Sequence, residues 1–398
     1  MSRLSRPEDV LLRISKRPTN SIQPDNANED QPQMSRHSSA EADPTTTGHS
    51  QERNIVVWFS SILLAGLLAT QGVKAVETPQ LDALKQKFHR PASIPFPKDN
   101  PYTDAKADLG YTLFFDPRLS GANTMSCANC HNPALGWKDG LGHGVGHDAK
   151  QLGRATPTIL NLAWAELLMW DGRFGGLEDQ ATGPIESAGE MNQPMPELLT
   201  ELAEIPGYRK MFREAFGRDE ITKQRLSQAI ATFERTLVSN KAPFDRWIEG
   251  DETAISESAK RGFVTFNGKG NCADCHSDWR FTDDGFHDIG LKSDDIGRGA
   301  QVPDVQSLQH AFKTPTLRNI DQRAPYMHDG SLANLREVVV HYDTGFVERP
   351  SLSPEMRHLG LTEQEVVDLI EFMHTLTSRD DKISIPVLPT KEQVTWTR

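Results

Sequence analysis

Cysteine is scarce in this chain. Its 398 residues include four cysteines, and all four fall in two short motifs, Cys127-Ala-Asn-Cys130-His131 and Cys272-Ala-Asp-Cys275-His276. No cysteine is left for a disulfide, for thiol redox chemistry or for a separate metal site. Any role for sulfur in this protein is therefore confined to the two motifs.

Positive charge is also in deficit. Lys and Arg number 43 against 55 Asp and Glu, which gives a formal net charge of −12. This balance argues against nucleic acid and against an anionic membrane surface as partners, and it permits a basic or dipolar redox partner. At roughly 100–200 residues per domain, the length allows two or three domains.

Long apolar runs are lacking apart from one stretch, Ile55 to Ala69. Arg53 precedes it and Val73-Lys74-Ala75 follows, a pattern typical of a secretory signal. An uncleaved anchor needs about 20 apolar residues, so the short run favours cleavage near Ala75. Residues 55–76 are thus a signal peptide or membrane anchor, and either places the body in the periplasm. Residues 1–54 are either a disordered polar extension or an artefact of a start codon that was assigned too early.

Each of the two cysteine motifs is a C-x-x-C-H, the attachment signature of c-type haem. The two thiols form thioethers with the haem vinyl groups, and His131 or His276 binds the iron from one side. A zinc ribbon is the alternative, but it separates its cysteine pairs by only about 15–20 residues. The separation here is far longer and both pairs are followed by His. The sequence therefore predicts two covalent haems.

Helical periodicity runs from Asp104 to Phe115 ahead of the first motif and from Thr253 to Phe266 ahead of the second. Gly110 and Gly262 stand at comparable places in these two segments. A helix, a Gly-containing loop and C-x-x-C-H, occurring twice, predict two related haem domains.

The predicted fold class is mainly α, because no strand run of useful length occurs. A final helix is expected from Thr362 to about Thr377, with Thr362 and Glu365 forming a capping box. Two cytochrome c-like haem domains packed together are expected to follow the signal or anchor segment, with boundaries at residues 97–245 and 250–380.

Several further stretches occur in a fixed order around the two motifs. The chain resembles the bacterial di-haem cytochrome c peroxidases and their MauG-type relatives over roughly residues 97–377. The stretches that carry this resemblance are Phe115-Asp116-Pro117-Arg118-Leu119-Ser120, Gly136-Trp137-Lys138-Asp139-Gly140, Thr156-Pro157-Thr158, Trp170-Asp171-Gly172-Arg173, Leu177-Glu178-Asp179-Gln180-Ala181, Gly183-Pro184-Ile185, Glu190-Met191, Thr314-Pro315-Thr316-Leu317-Arg318-Asn319 and Ala324-Pro325-Tyr326-Met327-His328-Asp329-Gly330.

The resemblance implies that the haem bound by His131 is the peroxidatic centre. Gln180 and Glu190 fall where the family has its distal pocket. Peroxide cleavage needs a group that takes a proton from one oxygen and returns it to the other, a role that fits Glu190. Gln180 would orient peroxide or water, and Trp170 corresponds to the tryptophan between the two haems. Without the resemblance, Glu190 and Gln180 would be assigned to the surface and Trp170 to the core.

The second haem's other ligand separates the branches of the family. Peroxidases of the family use a Met, whereas this chain has Tyr342 at that position, as MauG-type enzymes do. A thioether raises haem potential, while a tyrosine oxygen favours oxidised iron. The alternative is that Tyr342 is a core aromatic and that Met356 or Met373 binds the iron.

Two other positions, His147 and Ala155, concern a further iron ligand and a calcium site. His147 matches a His that caps the resting peroxidatic iron in the peroxidase branch, although a solvated His in a Gly-rich loop is the alternative. The resemblance also implies a calcium ion between the haems, held by an Asn side chain and the carbonyls of Arg323 and Pro325. Ala155 stands at the Asn position, and because calcium prefers six to eight oxygens, this argues against the ion.

The first functional hypothesis is a periplasmic di-haem c peroxidase that reduces hydrogen peroxide at the N-terminal haem, with electrons or oxidising equivalents passing through the C-terminal haem. The alternative is a MauG-type enzyme that uses peroxide to oxidise residues of a partner protein. A non-catalytic di-haem electron carrier is the remote alternative, since a carrier needs no acid–base pocket.

The expected partners are hydrogen peroxide and either a small periplasmic electron-donor protein or an oxidisable partner protein. A homodimer is compatible with the sequence, and the charge balance argues against a nucleic-acid partner.

Overall fold

A computed structural model describes residues 78–391, so the predictions for residues 1–54 and 55–76 lie outside the described part. No helix within this part is long and apolar enough to cross a membrane. Its α-helices are α1 (Thr78–Gln86), α2 (Asp104–Phe114), α3 (Cys127–Cys130), α4 (Leu177–Gln180), α5 (Gly183–Glu186), α6 (Met195–Ala203), α7 (Pro206–Phe216), α8 (Lys223–Arg235), α9 (Pro243–Ile248), α10 (Glu257–Asn267), α11 (Leu335–Val340) and α12 (Glu363–His374).

Strand structure in the described part is limited to one small antiparallel ribbon. β1 (Phe286–His287) pairs with β2 (Phe312–Lys313). The remaining segments are short 3₁₀ turns and loops. The prediction of a mainly α fold is confirmed, while the domain boundaries at 97–245 and 250–380 stay predictions.

In the half of the chain that carries the first motif, α2 lies across α8 with a glycine at the crossing. A Cβ built on Gly110 would lie 1.9 Å from the carbonyl oxygen of Ala229, so only glycine permits this approach of the two backbones. Phe114 and Phe233 pack beside the crossing with ring centroids 5.3 Å apart. The crossing is the centre of the first hydrophobic core.

The half that carries the second motif repeats this arrangement with α10 and α12. A Cβ on Gly262 would lie 1.9 Å from the carbonyl oxygen of Asp368. Phe263 and Phe372 pack there with ring centroids 5.5 Å apart, within the second core. The relationship predicted from Gly110 and Gly262 therefore has a physical basis: each glycine lets one helix cross another directly beside a haem-attachment motif.

One helix begins later than its sequence pattern predicts. The pattern starts at Thr253, whereas α10 begins at Glu257. The hydroxyl of Thr253 donates to Asp251 at 2.7 Å in a preceding turn. The Ser256 side chain accepts from the backbone N–H of Ala259 at 3.1 Å, which caps the helix. Local side-chain bonds thus decide the boundary.

The final helix begins where the capping box predicts. The Thr362 hydroxyl accepts from the backbone N–H of Glu365 at 3.2 Å, and the Glu365 carboxylate accepts from the backbone N–H of Thr362 at 2.8 Å. The helix ends at His374, three residues short of the predicted Thr377.

Two arginines tie the two halves together between the cores. Arg154 bonds Asp171 at 2.8 Å within its own half and Asp295 of the second half at 2.6 Å. Arg298 of the second half donates to the carbonyl oxygens of Asp171 and Gly172 at 3.0 and 2.7 Å. These bonds fix the segment around Asp171 against the second half.

Candidate active site

The first C-x-x-C-H motif forms the short helix α3 and the residue after it. Asn129 accepts from the backbone N–H of Ser126 at 2.7 Å, which closes the start of the turn. His131 follows, and its Nδ1 lies 3.3 Å from the carbonyl oxygen of Trp137. Since a carbonyl only accepts, Nδ1 carries the proton, and Nε2 is left as the metal-binding nitrogen.

The second motif has the same arrangement on a 3₁₀ turn, Cys272–Asp274. Nδ1 of His276 donates to the carbonyl oxygen of Phe281 at 2.9 Å. Nε2 is again left for a metal. Both histidines are therefore oriented by a backbone carbonyl, as iron-binding histidines commonly are.

A cavity of about 560 Å³ lies beside the first motif, and Cys127, Cys130 and His131 line it. It extends to the second half of the chain, where the buried Arg280 borders it. The Nε of Arg280 has no hydrogen-bond partner among the described residues. The basic side chains that line the cavity are Lys138, Arg154, Arg173, Arg280, Lys313 and Arg323.

These residues fit a covalent haem. The cysteine pair offers the thioether bonds, and His131 offers an iron ligand next to them. The basic lining suits the two carboxylates of the group, and the unpartnered Arg280 nitrogen is a donor available to them.

The three residues predicted for the distal pocket and the electron path line this same cavity. The Trp170 indole N–H donates to the carbonyl oxygen of Ala155 at 2.8 Å, which fixes the ring. The side-chain amide of Gln180 lies 3.7 Å from the Met169 sulfur. Glu190 is half-buried and lines the cavity together with the cysteine pair. The structure thus brings Trp170, Gln180 and Glu190 together with His131.

The carboxyl group of Glu190 has an altered proton affinity. Burial raises the pKa of Glu190 above its ordinary value, and the opposing charge of Arg173 does not cancel the effect. A carboxyl group of this kind is a stronger base than an exposed one, which favours its taking up a proton from a bound molecule.

His147 is placed differently from the other predicted residues. Its Nε2 lies 3.4 Å from a carboxylate oxygen of Asp148, and the neighbouring Gly146 lines the cavity whereas His147 does not. The backbone N–H of His147 donates to the carbonyl oxygen of Glu190 at 2.7 Å. The loop therefore lies beside Glu190 at the edge of the cavity, and ligation by His147 stays a prediction.

Tyr342 lies in a π-helical turn, His341–Gly345, that continues α11. Such turns are rare and frequently occur at functional sites. Burial raises the pKa of the Tyr342 phenol, and the nearby Cys275 and Cys272 act in the same direction, which puts the ring close to the second attachment site. Within the described part of the chain, no hydrogen bond occupies the Tyr342 hydroxyl.

The alternative ligands have other surroundings. Met373 is buried in the second hydrophobic core on α12. Met356 is half-buried in the loop before that helix. Ligation by Tyr342 is not tested by these placements and stays a prediction.

Two buried side chains at the site were not predicted as site residues. The Lys138 ammonium donates to the carbonyl oxygens of Arg323, at 3.0 Å, and of Pro325. His328 stacks on Phe312 with ring centroids 3.5 Å apart, and its buried Nε2 has no partner among the described residues. Both lie in stretches that carry the family resemblance. Their burial, however, leaves no signal in the sequence.

The residues present do not fit calcium. The carbonyl oxygens of Arg323 and Pro325 bond to the Lys138 ammonium, and the carbonyl oxygen of Ala155 accepts from Trp170. Ala155 has no side-chain oxygen to add. Both carbonyl groups that the family resemblance assigns to calcium are therefore already bonded to an ammonium group.

Comparison with known proteins agrees with this geometry. Residues 104–253 match the family model described as di-haem cytochrome c peroxidase, and residues 259–377 match cytochrome c. The chain is 53% identical to the methylamine utilization protein MauG of Methylophilus methylotrophus, over 77% of this chain and 92% of that protein. It is 52% identical to MauG of Methylorubrum extorquens, over 84% and 98%.

More distant relatives include a peroxidase. The cytochrome c551 peroxidase of Nitrosomonas europaea is 33% identical over 85% of this chain and 96% of that protein. Among solved structures, a MauG-like protein associated with microbial copper homeostasis superposes with a TM-score of 0.67. It is 29% identical and covers 73% of this chain and 94% of that structure.

The fold and the two attachment sites define a covalent di-haem oxidoreductase. The chain belongs to the di-haem cytochrome c peroxidase and MauG family. The predicted family, the mainly α fold with two haem halves and the enzyme class are confirmed. The cytochrome c match also supports the two haem c groups.

Proposed function

We propose that this protein is a MauG-type enzyme, which uses hydrogen peroxide to oxidise residues of a partner protein. Identity to the two MauG proteins is 53% and 52%, against 33% to the Nitrosomonas peroxidase. The single observation that carries the proposal is the position of Tyr342 near the second cysteine pair, with a hydroxyl that no described residue hydrogen-bonds. The order of the two hypotheses drawn from the sequence is thereby reversed.

At the first site, a haem held by Cys127, Cys130 and His131 would supply the redox chemistry that peroxide reduction needs. Glu190 takes the proton from the inner peroxide oxygen and delivers it to the outer oxygen, which then leaves as water. Its raised pKa favours the first step of this transfer, the uptake of the proton. The Gln180 amide, which lies in the same cavity, orients the peroxide by hydrogen bonding.

Trp170 carries oxidising equivalents between the two halves. Its indole lines the cavity at the first site and is held by the Ala155 carbonyl. The backbone carbonyl of Trp170 accepts from Lys313 of the second half, so the residue spans the junction. A fixed ring keeps the electron-transfer path constant from one turnover to the next.

Tyr342 would hold the second iron through its phenol oxygen. A hard oxygen ligand stabilises oxidised iron, whereas the thioether of a Met raises the potential. The second haem would then share oxidising equivalents with the first one rather than accept electrons from a mild donor cytochrome. The partner is a protein with an oxidisable residue, met in the periplasm, where c-type haem is attached.

The test compares the ferric protein with the Tyr342→Met and Tyr342→Phe variants by electron paramagnetic resonance. We expect the signal of the second haem to change in both variants and that of the first haem to persist. Tyr102→Phe, which removes a phenol oxygen ahead of α2, is the matched control. Identical spectra for the parent and both Tyr342 variants would remove Tyr342 from the iron.

Adding peroxide to the fully ferric protein and to the one-electron-reduced protein distinguishes the MauG-type branch from the peroxidase branch. A MauG-type enzyme reacts in the fully ferric state, and Trp170→Phe then slows the response of the second haem. Fast turnover with a reduced small cytochrome, seen only after one-electron reduction, would instead assign the protein to the peroxidase branch.

A further inference from the structure

Lys138 is a buried cation at the junction between the two halves. Its side chain begins in the first half, just after the first haem motif, and is 5% exposed. The ammonium donates to the carbonyl oxygen of Arg323 at 3.0 Å and to that of Pro325, both in a loop of the second half. A chain separation of 185 residues is bridged by this one group.

No carboxylate bonds to this ammonium among the described residues. The neighbouring Asp139 accepts from the Thr156 hydroxyl at 2.6 Å and from the backbone N–H of Leu141 at 2.9 Å. Backbone carbonyl oxygens therefore solvate the Lys138 charge, as they would a metal ion. Burial lowers the pKa of Lys138 to about 8, with Asp139 opposing and Arg323 contributing to the decrease. The side chain is mainly charged at neutral pH.

The two carbonyl groups that hold Lys138 are the same two that the family resemblance gives to calcium. Calcium needs six to eight oxygens at about 2.3–2.6 Å. Here the Ala155 position adds no side-chain oxygen, and the Ala155 carbonyl already accepts from Trp170 at 2.8 Å. A divalent ion beside the Lys138 ammonium would also meet like-charge repulsion.

The ammonium connects to Trp170 through a short series of bonds. Lys138 holds the Pro325 carbonyl, and three residues later the carbonyl oxygen of His328 accepts from the backbone N–H of Ala155 at 2.7 Å. The Ala155 carbonyl in turn accepts from the Trp170 indole. Lys138 is therefore a positioning residue for Trp170.

We infer that the Lys138 ammonium takes the place of the calcium ion, so that this protein holds the junction of its haem halves with a cation of its own. Calcium neither binds at this junction nor activates the enzyme. The role of Lys138 does not depend on whether the oxidised substrate is a protein or a small donor.

The first experiment uses the haem-loaded wild-type protein. Metal analysis after dialysis without chelator is expected to find no stoichiometric calcium. Incubation with EGTA is expected to leave the paramagnetic resonance spectra of both haems and the peroxide response unchanged. Stoichiometric calcium, or a spectral change that EGTA produces and calcium reverses, would overturn the inference. This result requires no variant to fold.

The second experiment removes the ammonium. Lys138→Met is expected to lower the unfolding midpoint by about 5 °C or more, because two buried carbonyl groups lose their donor. The substitution should also change the paramagnetic resonance signal of at least one haem. It should slow the spectral change of the second haem that follows addition of peroxide. Lys150→Met, at an exposed lysine, is the matched control and should change none of these. A Lys138→Met protein that matches the parent in stability, spectra and response would refute the role.

The third experiment rebuilds the metal site. Lys138→Gly combined with Ala155→Asn removes the internal cation and restores an amide oxygen. This double variant is expected to bind calcium and to recover stability and the second-haem response when calcium is added, whereas Lys138→Met should not. A double variant that folds but binds no calcium, with neither stability nor the second-haem response restored, would show that Lys138 does not stand at the metal position.

Discussion

At the scale of single residues, the two haem histidines and Glu190 show how local contacts set chemical roles. The Nδ1–H groups of His131 and His276 each donate a hydrogen bond to a backbone carbonyl, which leaves Nε2 of each ring as the nitrogen that can bind iron. Burial raises the pKa of Glu190 more than the charge of Arg173, which is also bonded to Asp171, lowers it.

Substitution of Glu190 tests its role in proton transfer. In Glu190→Gln we expect the rate of peroxide-driven oxidation to fall by about 10²–10⁴-fold. A base works when ionised, so its raised pKa places the acid limb of the parent's pH–rate profile above the ordinary value of 4.5. The variant should lack this limb. Stopped-flow spectroscopy across the pH range measures both effects.

The matched control is Asp179→Asn, which removes an exposed carboxylate next to Gln180. It should retain the parent's rate and profile. An unchanged acid limb in Glu190→Gln would assign the limb to another group.

At the scale of helices, the two glycine crossings determine where each haem motif lies. α2 against α8 and α10 against α12 are close because Gly110 and Gly262 carry no side chain. The loop after each of α2 and α10 then leads to its cysteine motif. The sequence shows the repeated glycine, but only the structure shows what each glycine touches.

Gly262→Ala is expected to destabilise the protein by about 3 kcal/mol, the upper end of typical overpacking costs, because the new Cβ meets the Asp368 carbonyl at 1.9 Å. At an exposed helical glycine the same substitution would instead stabilise the protein, since Ala favours a helix by about 1 kcal/mol. Urea unfolding of the haem-loaded protein gives the free energy.

Gly175→Ala, where no atom lies within 4 Å of the added Cβ, is the control and should leave the free energy nearly unchanged. Parent-like stability of Gly262→Ala would mean that the helices separate without cost and that the crossing is not rigid.

At the scale of the whole molecule, buried ion pairs make stability depend on pH. Asp288 is fully buried and bonds Arg349 at 2.6 Å and Ser351 at 2.7 Å. Burial acts to raise the pKa of Asp288, but these hydrogen bonds outweigh it and hold the pKa below 3.8. A carboxylate with a lowered folded pKa contributes stability that is present above its unfolded pKa and is lost as the pH falls through the folded value.

Asp288→Asn should therefore cost about 3 kcal/mol at pH 7, since Arg349 loses a buried partner. The difference from the parent should shrink as the pH is lowered below about 4. Thermal or urea unfolding at pH 7 and at pH 3 measures this convergence, with the exposed Asp304→Asn as control. Parallel stability curves for Asp288→Asn and the parent would rule out the lowered pKa.

The sequence by itself determined the haem attachments, the mainly α fold and the family. Cys127, Cys130 and His131 act within one turn of chain, so their spacing alone specifies the chemistry. The assignments of Trp170, Gln180 and Glu190 came from resemblance, and the structure adds that they line one cavity with His131. Their catalytic roles, and ligation by Tyr342 and His147, remain predictions.

Only the tertiary structure decided the surroundings of Lys138 and His328. The Lys138 ammonium meets carbonyl groups 185 and 187 residues away, and His328 meets a ring brought in by β2. Backbone carbonyl oxygens are present at every residue, so no pattern of residue types marks the ones that will converge. Folding brings the carbonyl oxygens of Arg323 and Pro325 to the Lys138 ammonium, which no pattern in the sequence predicts.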